Sequence, residues 1–222
     1  MNDFERTLMN TFQHHFPLIT ILTCMFHLSQ NFYRKLVECG FKTQYTENKS
    51  LNKWFKKIIA LSLLPPSTIC DVFEELLLEM HDSFDLEGEF KELETFADYV
   101  LLNYIGDDSH GPATFPIELW NHYDTDERTN NDVEAYNYRL NTVIGPHKNI
   151  WVFIKKIKTE EAATAIKFLR IENDTLRKRE RNAKDLKRDL QISKSKILYL
   201  SKKKTLNEYL DKVSNYVTAK FV

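Results

Sequence analysis

Apolar positions along the first forty residues change from helical to extended spacing and back. Aromatic and aliphatic side chains recur every four residues at Phe4, Leu8, Phe12 and Phe16. This spacing predicts an amphipathic helix, which Pro17 ends. Residues 18–25 form an apolar, β-branched run of strand length, and residues 26–37 return to helical spacing before Gly40. The pattern therefore predicts an αβα segment that adds a strand to a sheet.

Residues 48–105 carry only helical periodicity. We predict one helix capped by Ser50, a break at Pro65 and Pro66, a second helix from Ser67 to Met80 and a third over residues 87–104. Beyond them, Thr129 begins a helix that ends at Gly145 and Pro146. A shorter helix is predicted over residues 150–157, and a long charged one from Thr159 to about Arg188. Residues 115–123 are aromatic and have no clear period.

Composition supports a mainly α protein that contains a small α/β part. The 222 residues include only 5 Gly and 6 Pro, whereas 13% are aromatic. The three cysteines have no framework spacing, so we expect no disulfides. We also expect no membrane span and no secretion signal, because no long apolar run is present and polar residues follow Met1.

Charge is divided into two blocks along the chain. Residues 155–204 carry 17 Lys and Arg against 7 Asp and Glu, and the rest of the chain carries 14 against 25. The total of -1 therefore hides a basic and an acidic part. Basic side chains crowd one predicted helix: Arg177, Lys178, Arg179, Arg181, Lys184, Lys187 and Arg188. Such a segment suits phosphate contacts without base specificity, and Lys202 to Lys204 add a second cluster.

Two other interpretations of the basic segment stay open. Interspersed acidic residues such as Glu180 and Asp185 are typical of a solvated helix with many ion pairs. Apolar residues between Leu186 and Leu210 suit a partner helix or a coiled-coil seam, although they keep no sustained heptad.

Three local patterns carry a resemblance to a known family. They read MNDFERTLMNTFQHHFP at residues 1–17, CMFHLSQNFYRKL at 24–36 and ERTNNDVEAYNYRLN at 127–141. In this order, with helices between the second and third, they resemble the Mutator-like element (MULE) transposases. In that family an Asp-Phe-Glu segment, a Cys/Asp-x-x-His element and a Thr-Asn-Asn-x-x-Glu helix follow one another. The resemblance covers residues 1 to about 158.

The resemblance implies a partial ribonuclease-H-like fold and a DDE site in which three carboxylates hold Mg²⁺ or Mn²⁺. Such ions would activate a nucleophile at a phosphodiester. By motif match, Asp3 takes the second catalytic and metal-binding position and Glu134 takes the third. The first Asp has no counterpart in this sequence, so metal binding is in doubt and we expect no activity from this chain alone.

Each candidate residue also has a simpler interpretation. Asp3 suits a helix N-cap, and Glu134 suits the first turn of a helix, where the dipole favours an acid. Neighbouring Arg128, Asn130 and Asn131 favour the functional interpretation of Glu134, because a carboxylate cluster needs hydrogen-bond donors nearby.

Cys24 and His27 have the separation of a zinc ligand pair, but the sequence offers no second pair. The resemblance instead implies a strand-to-helix turn that places His27 near the cleft or the DNA. A buried cysteine and a hydrogen-bonded core histidine are an equal alternative.

The resemblance divides the chain into four segments. Residues 1–45 are the partial ribonuclease-H-like segment, 46–112 the helical insertion, 113–158 the return to the catalytic core and 159–222 a basic helical tail. We expect a transposase-derived fragment that binds DNA with low specificity, located in the nucleus as the family implies, and otherwise in the cytoplasm. The alternative is a helical protein-interaction module, built on residues 50–104 and the last helix, that self-associates or captures a helical partner.

Overall fold

The computed structural model describes residues 4–129, 131–146, 149–173 and 182–217. The chain divides into two compact units, one made of Met1–Thr129 with Lys187–Val222 and the other of Asn130–Leu186. We call them the core unit and the hairpin unit. The predicted mainly α class is confirmed, because the described residues are mostly helical. The ribonuclease-H-like part of the prediction stays a prediction, as does the division into four segments.

Eleven α-helices lie in the described part of the chain. They are α1 (Arg6–His15), α2 (Met25–Glu38), α3 (Lys42–Glu47), α4 (Lys49–Ala60), α5 (Ile69–Ser83), α6 (Leu93–Val100), α7 (Ile117–Trp120), α8 (Asn131–Ile144), α9 (Ile150–Glu172), α10 (Ala183–Leu200) and α11 (Leu206–Ser214). Short 3₁₀ turns at Leu61–Leu63 and Pro66–Thr68 join α4 to α5, and a π-helical turn at Leu101–Ile105 extends α6.

The predicted strand over residues 18–25 was wrong. Leu18 lies in a turn, Met25 begins α2, and Thr23 is the single bridge residue of the segment in the described chain. The amides of Thr23 and Met25 donate to the carbonyls of Leu119 and Arg128, neither of which belongs to a strand. The β-branched residues favour a strand, but a strand forms only where another segment pairs with it along its length.

Several helix ends differ from the predictions because side chains compete for the same backbone groups. The N-cap of α4 is Asn48 rather than Ser50, since the Asn48 side chain accepts hydrogen bonds from the amides of Ser50 and Leu51. Thr159 does not begin a new helix. Its hydroxyl donates to the Lys155 carbonyl over 2.9 Å inside one continuous α9.

Aromatic side chains fill the centre of the core unit. The largest fully buried ones include Trp54, Trp120, Tyr104, Phe32 and Phe96. The Trp54 indole donates to the Leu76 carbonyl over 2.8 Å, and the Trp120 indole donates to the Tyr104 carbonyl over 3.1 Å. Each ring therefore buries a large apolar area without leaving its N–H unpaired. Phe4, predicted to lie in the first helix, precedes α1 and packs edge-on against Tyr104 instead.

The last helix closes this core. Tyr209 and Val213 of α11 are buried, and the Tyr209 hydroxyl donates to the Leu63 carbonyl over 2.9 Å. Thr205 and Glu208 form a reciprocal capping box that fixes where α11 begins. The end of the predicted basic tail is therefore an integral part of the core unit.

The hairpin unit consists mainly of α8 and α9. Among the described residues of this unit only Glu160 is buried. The Glu160 carboxylate forms an ion pair with the Arg139 guanidinium, with an N–O distance of 2.9 Å. The Lys156 ammonium donates to the carbonyls of Val143 and Ile144 at the end of α8. A lysine at this position satisfies carbonyls that no helical amide reaches.

Candidate functional site

Backbone hydrogen bonds bring the Cys24–His27 segment beside Arg128. The Thr23 amide donates to the Leu119 carbonyl over 2.6 Å, and the Met25 amide donates to the Arg128 carbonyl over 2.9 Å. The Thr23 hydroxyl also donates to Leu119, 96 positions away in the sequence, over 2.9 Å. Two of the three sequence motifs therefore meet in the core unit.

Cys24 and His27 lie where a loop turns into α2. Cys24 is fully buried at the N-cap position, but its side chain makes no capping hydrogen bond. His27 is half-buried in the first turn and stands edge-on to Phe26, with ring centroids 5.6 Å apart. In the parts of the chain that the structure describes, no three His, Cys, Asp or Glu side chains are grouped so that they could hold a metal ion.

Arg128 joins the third motif to α10. Its guanidinium Nη1 donates to the Asp189 carboxylate over 2.8 Å, and the two side chains are only 11% and 19% exposed. Arg188, predicted to bind nucleic acid, places its Nε 3.7 Å from the same carboxylate. A largely desolvated pair is costly to break, because removing one partner leaves the other charge buried. The prediction that Arg128 donates a hydrogen bond to Glu134 stays a prediction. Its observed ion pair with Asp189 holds the third motif to α10.

Glu134 lies in the first turn of α8, as predicted, and its side chain is exposed. Asn131 is the first residue of that helix and is also exposed. Asp3 and Asn130 lie outside the described residues. The N-cap position of α1 falls on Glu5, whose side chain makes no capping hydrogen bond.

The implied Mg²⁺ or Mn²⁺ site requires a cluster of carboxylates. Of the two matched carboxylates, the structure describes only Glu134. Among the described residues Glu134 belongs to no cluster that could hold a metal ion, so no catalytic step is assigned to one.

The basic segment is only partly described. Arg177, Lys178, Arg179 and Arg181 lie outside the described residues. Lys184 and Lys187 are exposed near the start of α10, whereas Arg188 is partly covered beside Asp189. Further along, Lys202, Lys203 and Lys204 line an open groove of about 460 Å³ at the turn between α10 and α11. Lys202 has a φ of 56°, so this turn passes through the left-handed region at a non-glycine residue.

His122 is the main feature that the sequence did not reveal. Its side chain is 1% exposed, and neither ring nitrogen makes a hydrogen bond. Its backbone amide donates to the Ser62 carbonyl over 2.7 Å, which fixes the residue against the end of α4. A buried polar group without a partner costs about 1–3 kcal/mol. Such groups are rare in the interiors of folded proteins.

Burial lowers the pKa of His122 to about 4, and the nearby positive charge of Arg128 acts in the same direction. The carbonyls of Thr23 and Glu127 lie close enough to favour the charged ring, but their positions do not give hydrogen bonds of normal geometry. The imidazole is therefore neutral at pH 7 and offers one donor and one acceptor.

A cavity of about 220 Å³ lies beside His122 and Arg128. On its α10 side, the Lys196 ammonium lies 3.6 Å from the centre of the Tyr123 ring and 3.0 Å from the Asp124 carboxylate. The Arg128 Nε is buried and makes no hydrogen bond. The cavity wall thus combines the cations Arg128 and Lys196 with two exposed acids, Asp124 and Asp126.

Sequence reasoning missed this cavity for a physical reason. Its wall is assembled from the 3₁₀ turn at Leu61–Leu63, the loop after α7, α10 and α11. His122 and Tyr123 stand at the end of the aromatic segment that has no clear period, and no local spacing links His122 to Lys196. The aromatic and charged composition of that loop was the only available signal.

Comparisons with known proteins add no assignment: no family model, no curated protein and no solved structure matches the chain. A search of the described helices for one long and apolar enough to cross a membrane also found none.

Proposed function

We propose that this chain is a portion of a Mutator-like DNA transposase that binds DNA with low sequence specificity and does not cleave it alone. The nuclear location follows from the same proposal. The observation that carries it is the hydrogen bond from the Met25 amide to the Arg128 carbonyl. A transposase active region needs its separate motifs in one place, and this contact joins two of them across a helical insertion.

Exposed cations of the core unit support contact with phosphates. Lys187, Lys194, Lys202 and Lys203 are exposed along α10 and the turn that follows it. Lysines bind phosphates as flexible point charges, so this surface suits a nucleic-acid backbone rather than particular bases. Each phosphate contact releases counterions from the DNA, so the proposal predicts that binding weakens strongly as the salt concentration rises.

The DNA-binding half is tested with the full chain and a short duplex of arbitrary sequence. Changing Arg177, Lys178 and Arg179 together to Gln removes three cations and is expected to weaken binding at least about tenfold. It should also reduce the slope of log affinity against log salt by about 0.9 for each lost phosphate contact. Fluorescence anisotropy over a range of salt concentrations measures both quantities.

A matched control changes three exposed lysines of the core unit, Lys42, Lys49 and Lys91, to Gln. This variant has the same change in net charge and should bind nearly as well as the unmodified chain. Equal losses in the two triple variants would mean that net charge alone attracts DNA. No binding at low salt would overturn the proposal.

The cleavage half is tested by a nicking assay with Mg²⁺ or Mn²⁺ on supercoiled DNA. We expect no nicking above the background of Glu134→Gln. Cleavage by the unmodified chain that disappears in this variant would overturn the claim that the chain is not competent alone.

A second candidate function is favoured by the hairpin unit. Large apolar side chains of α9 are exposed, among them Trp151 (74%) and Phe168 (64%). Exposed apolar surface of this kind often marks an interaction site. By contrast, the apolar faces of α4 and α5, which lie within the proposed interaction module, are buried in the core unit. Light scattering decides between the two functions, because an interaction module forms dimers or larger species without DNA.

A further inference from the structure

The long helix α9 of the hairpin unit carries a row of mainly apolar side chains at coiled-coil spacing. The residues of this row recur at alternating intervals of four and three positions: Ile150, Ile154, Ile157, Glu161, Thr164, Phe168 and Ile171. Such alternation over three heptads keeps the row on one face of a helix and favours packing against another helix. We call this row the α9 seam.

The α9 seam lies beside the face that α9 turns to α8. That face is held by Glu160, which pairs with Arg139, and by Lys156, which donates to the carbonyls at the end of α8. Ile157 and Thr164 of the seam are partly buried. Four apolar residues of the seam stay 38–64% exposed: Ile150, Ile154, Phe168 and Ile171. The contact with α8 therefore leaves most of the apolar seam in water.

The exposed apolar area of the seam suits a weak dimer. With about 200 Å² for an aromatic ring and about 100 Å² for an isoleucine side chain, the seam and the adjoining Phe153 leave roughly 350 Å² of apolar surface in water. Interfaces are about 60% apolar, so this surface corresponds to about 600 Å² buried on each copy. The total of roughly 1,200 Å² lies at the lower limit of specific interfaces. A pair of seams is therefore sufficient for a reversible dimer.

Charge selects the direction in which two seams can pair. Glu161 is exposed at the middle of the seam. In a parallel pair it would lie against Glu161 of the second copy, and such like-charge contacts at an interface are costly. An antiparallel pair instead places Glu161 against Thr164, and the same register places Ile154 against Ile171. The layers between these then match apolar residues with apolar ones.

We propose that the α9 seam is a homodimerisation surface, on which a second copy of this chain docks its own α9 seam in the antiparallel direction. The inference rests on the second candidate function, an interaction site on the hairpin unit, and deepens it by naming the partner and the residues in contact. The pairing surface lies within the hairpin unit. It does not use the exposed Lys187 and Lys194 of α10, which belong to the core unit.

Sedimentation equilibrium of the full chain over a range of concentrations, without DNA, tests for the dimer. The mass should rise from that of one copy to that of two, with a dissociation constant in the micromolar range, because the interface is small. A mass that stays at one copy up to millimolar concentration would overturn the proposal. Growth beyond two copies would also overturn it, because an antiparallel pair of seams is closed by a two-fold axis.

Matched double variants locate the surface. Phe168→Asp with Ile171→Asp places two charges in the seam and should weaken dimerisation at least about tenfold, since a charge buried without a partner is costly. Ile166→Asp with Leu169→Asp makes a similar change on the same helix, at residues that are similarly exposed but lie outside the seam. This control should dimerise like the unmodified chain. Equal dimerisation of the two double variants would contradict the assignment.

A pair of opposite charges tests the antiparallel direction. Ile154→Lys and Ile171→Glu should each weaken the dimer when made alone. Together in one chain they should restore part of the lost affinity, because each new cation then faces a new acid of the second copy. A double variant that pairs no better than the single ones would overturn the antiparallel direction.

Failure of the seam and failure of the function it rests on give different results. Dimerisation that survives in the variant with Phe168→Asp and Ile171→Asp would overturn the seam and leave the second candidate function standing. An unmodified chain that stays monomeric would overturn both. The anisotropy measurement with DNA bears on the transposase proposal, and loss of DNA binding would leave the pairing of two seams standing.

Discussion

The core unit and the hairpin unit place their apolar side chains differently. In the core unit, Trp54 is 1% exposed and lies among other aromatic rings. In the hairpin unit, Trp151 is 74% exposed, although it also lies on a helix. The same residue type is therefore a packing residue in one unit and a surface residue in the other. Helical periodicity alone does not tell which of these a tryptophan will be.

The difference has an energetic consequence. The two main helices of the hairpin unit can each bury only one face against the other. The helices of the core unit instead pack around one shared hydrophobic cluster. Most helical stability in proteins comes from such packing rather than from propensity. We therefore expect the core unit to carry the cooperative unfolding transition and the hairpin unit to open at lower free energy.

Replacing one tryptophan in each unit should give the largest difference between the two units in the free energy of unfolding. Trp54→Ala removes a fully buried ring and its hydrogen bond to Leu76, which is expected to lower the free energy of unfolding by about 3–5 kcal/mol. Trp151→Ala is expected to change it by less than about 0.5 kcal/mol, because the ring is exposed. Urea denaturation followed by circular dichroism measures both. Similar losses in the two variants would show that the units do not differ in this way.

Acid should destabilise the core unit through His122. Its pKa is about 4 in the folded chain and 6.5 without burial, so the unfolded chain binds the extra proton first. The contribution of neutral His122 to the free energy of unfolding is therefore complete above about pH 6.5. It declines as the pH falls to about 4, by at most about 3 kcal/mol. Urea midpoints measured over this range give the slope. His122→Phe should flatten it, and an equal slope in both proteins would contradict the assignment.

Two asparagine caps give the smallest and most closely matched test. Asn48 caps α4 of the core unit, and Asn149 caps α9 of the hairpin unit through the Trp151 amide. Replacing Asn48 by Ala should lower the free energy of global unfolding by about 1 kcal/mol. Replacing Asn149 should instead speed hydrogen exchange only in the first turns of α9. Amide exchange read by mass spectrometry distinguishes a global from a local effect.

Helices could be predicted from local spacing wherever one face is apolar over several turns. The helices containing Phe32, Trp54 and Phe73 were predicted for this reason, and each of these residues is buried. Their ends were less predictable. Ser50 and Asn48 are both good caps, and only the observed hydrogen bonds show that Asn48 is used.

The candidate site divides in the same way. The motifs around Cys24 and Arg128 could be found in the sequence, but their contact through Met25 could not. The prediction that Arg128 serves Glu134 stays a prediction, and its observed ion pair with Asp189 joins residues 61 positions apart, which no local pattern reveals. His122 had no signal of its own, since a single histidine in an aromatic loop is unremarkable until its burial is known.

The sequence by itself determined the helical class, the positions of most helices and the separation of acidic from basic segments, because these depend on spacing and composition within short windows. Tertiary structure alone decided which apolar faces are covered, and that residues 18–25 pair with no strand in the part of the chain that the structure describes. It also decided that a neutral histidine and an arginine from one loop share a cavity with a lysine 74 positions beyond the histidine. Burial and charge balance arise only when distant segments meet, and no local pattern contains them.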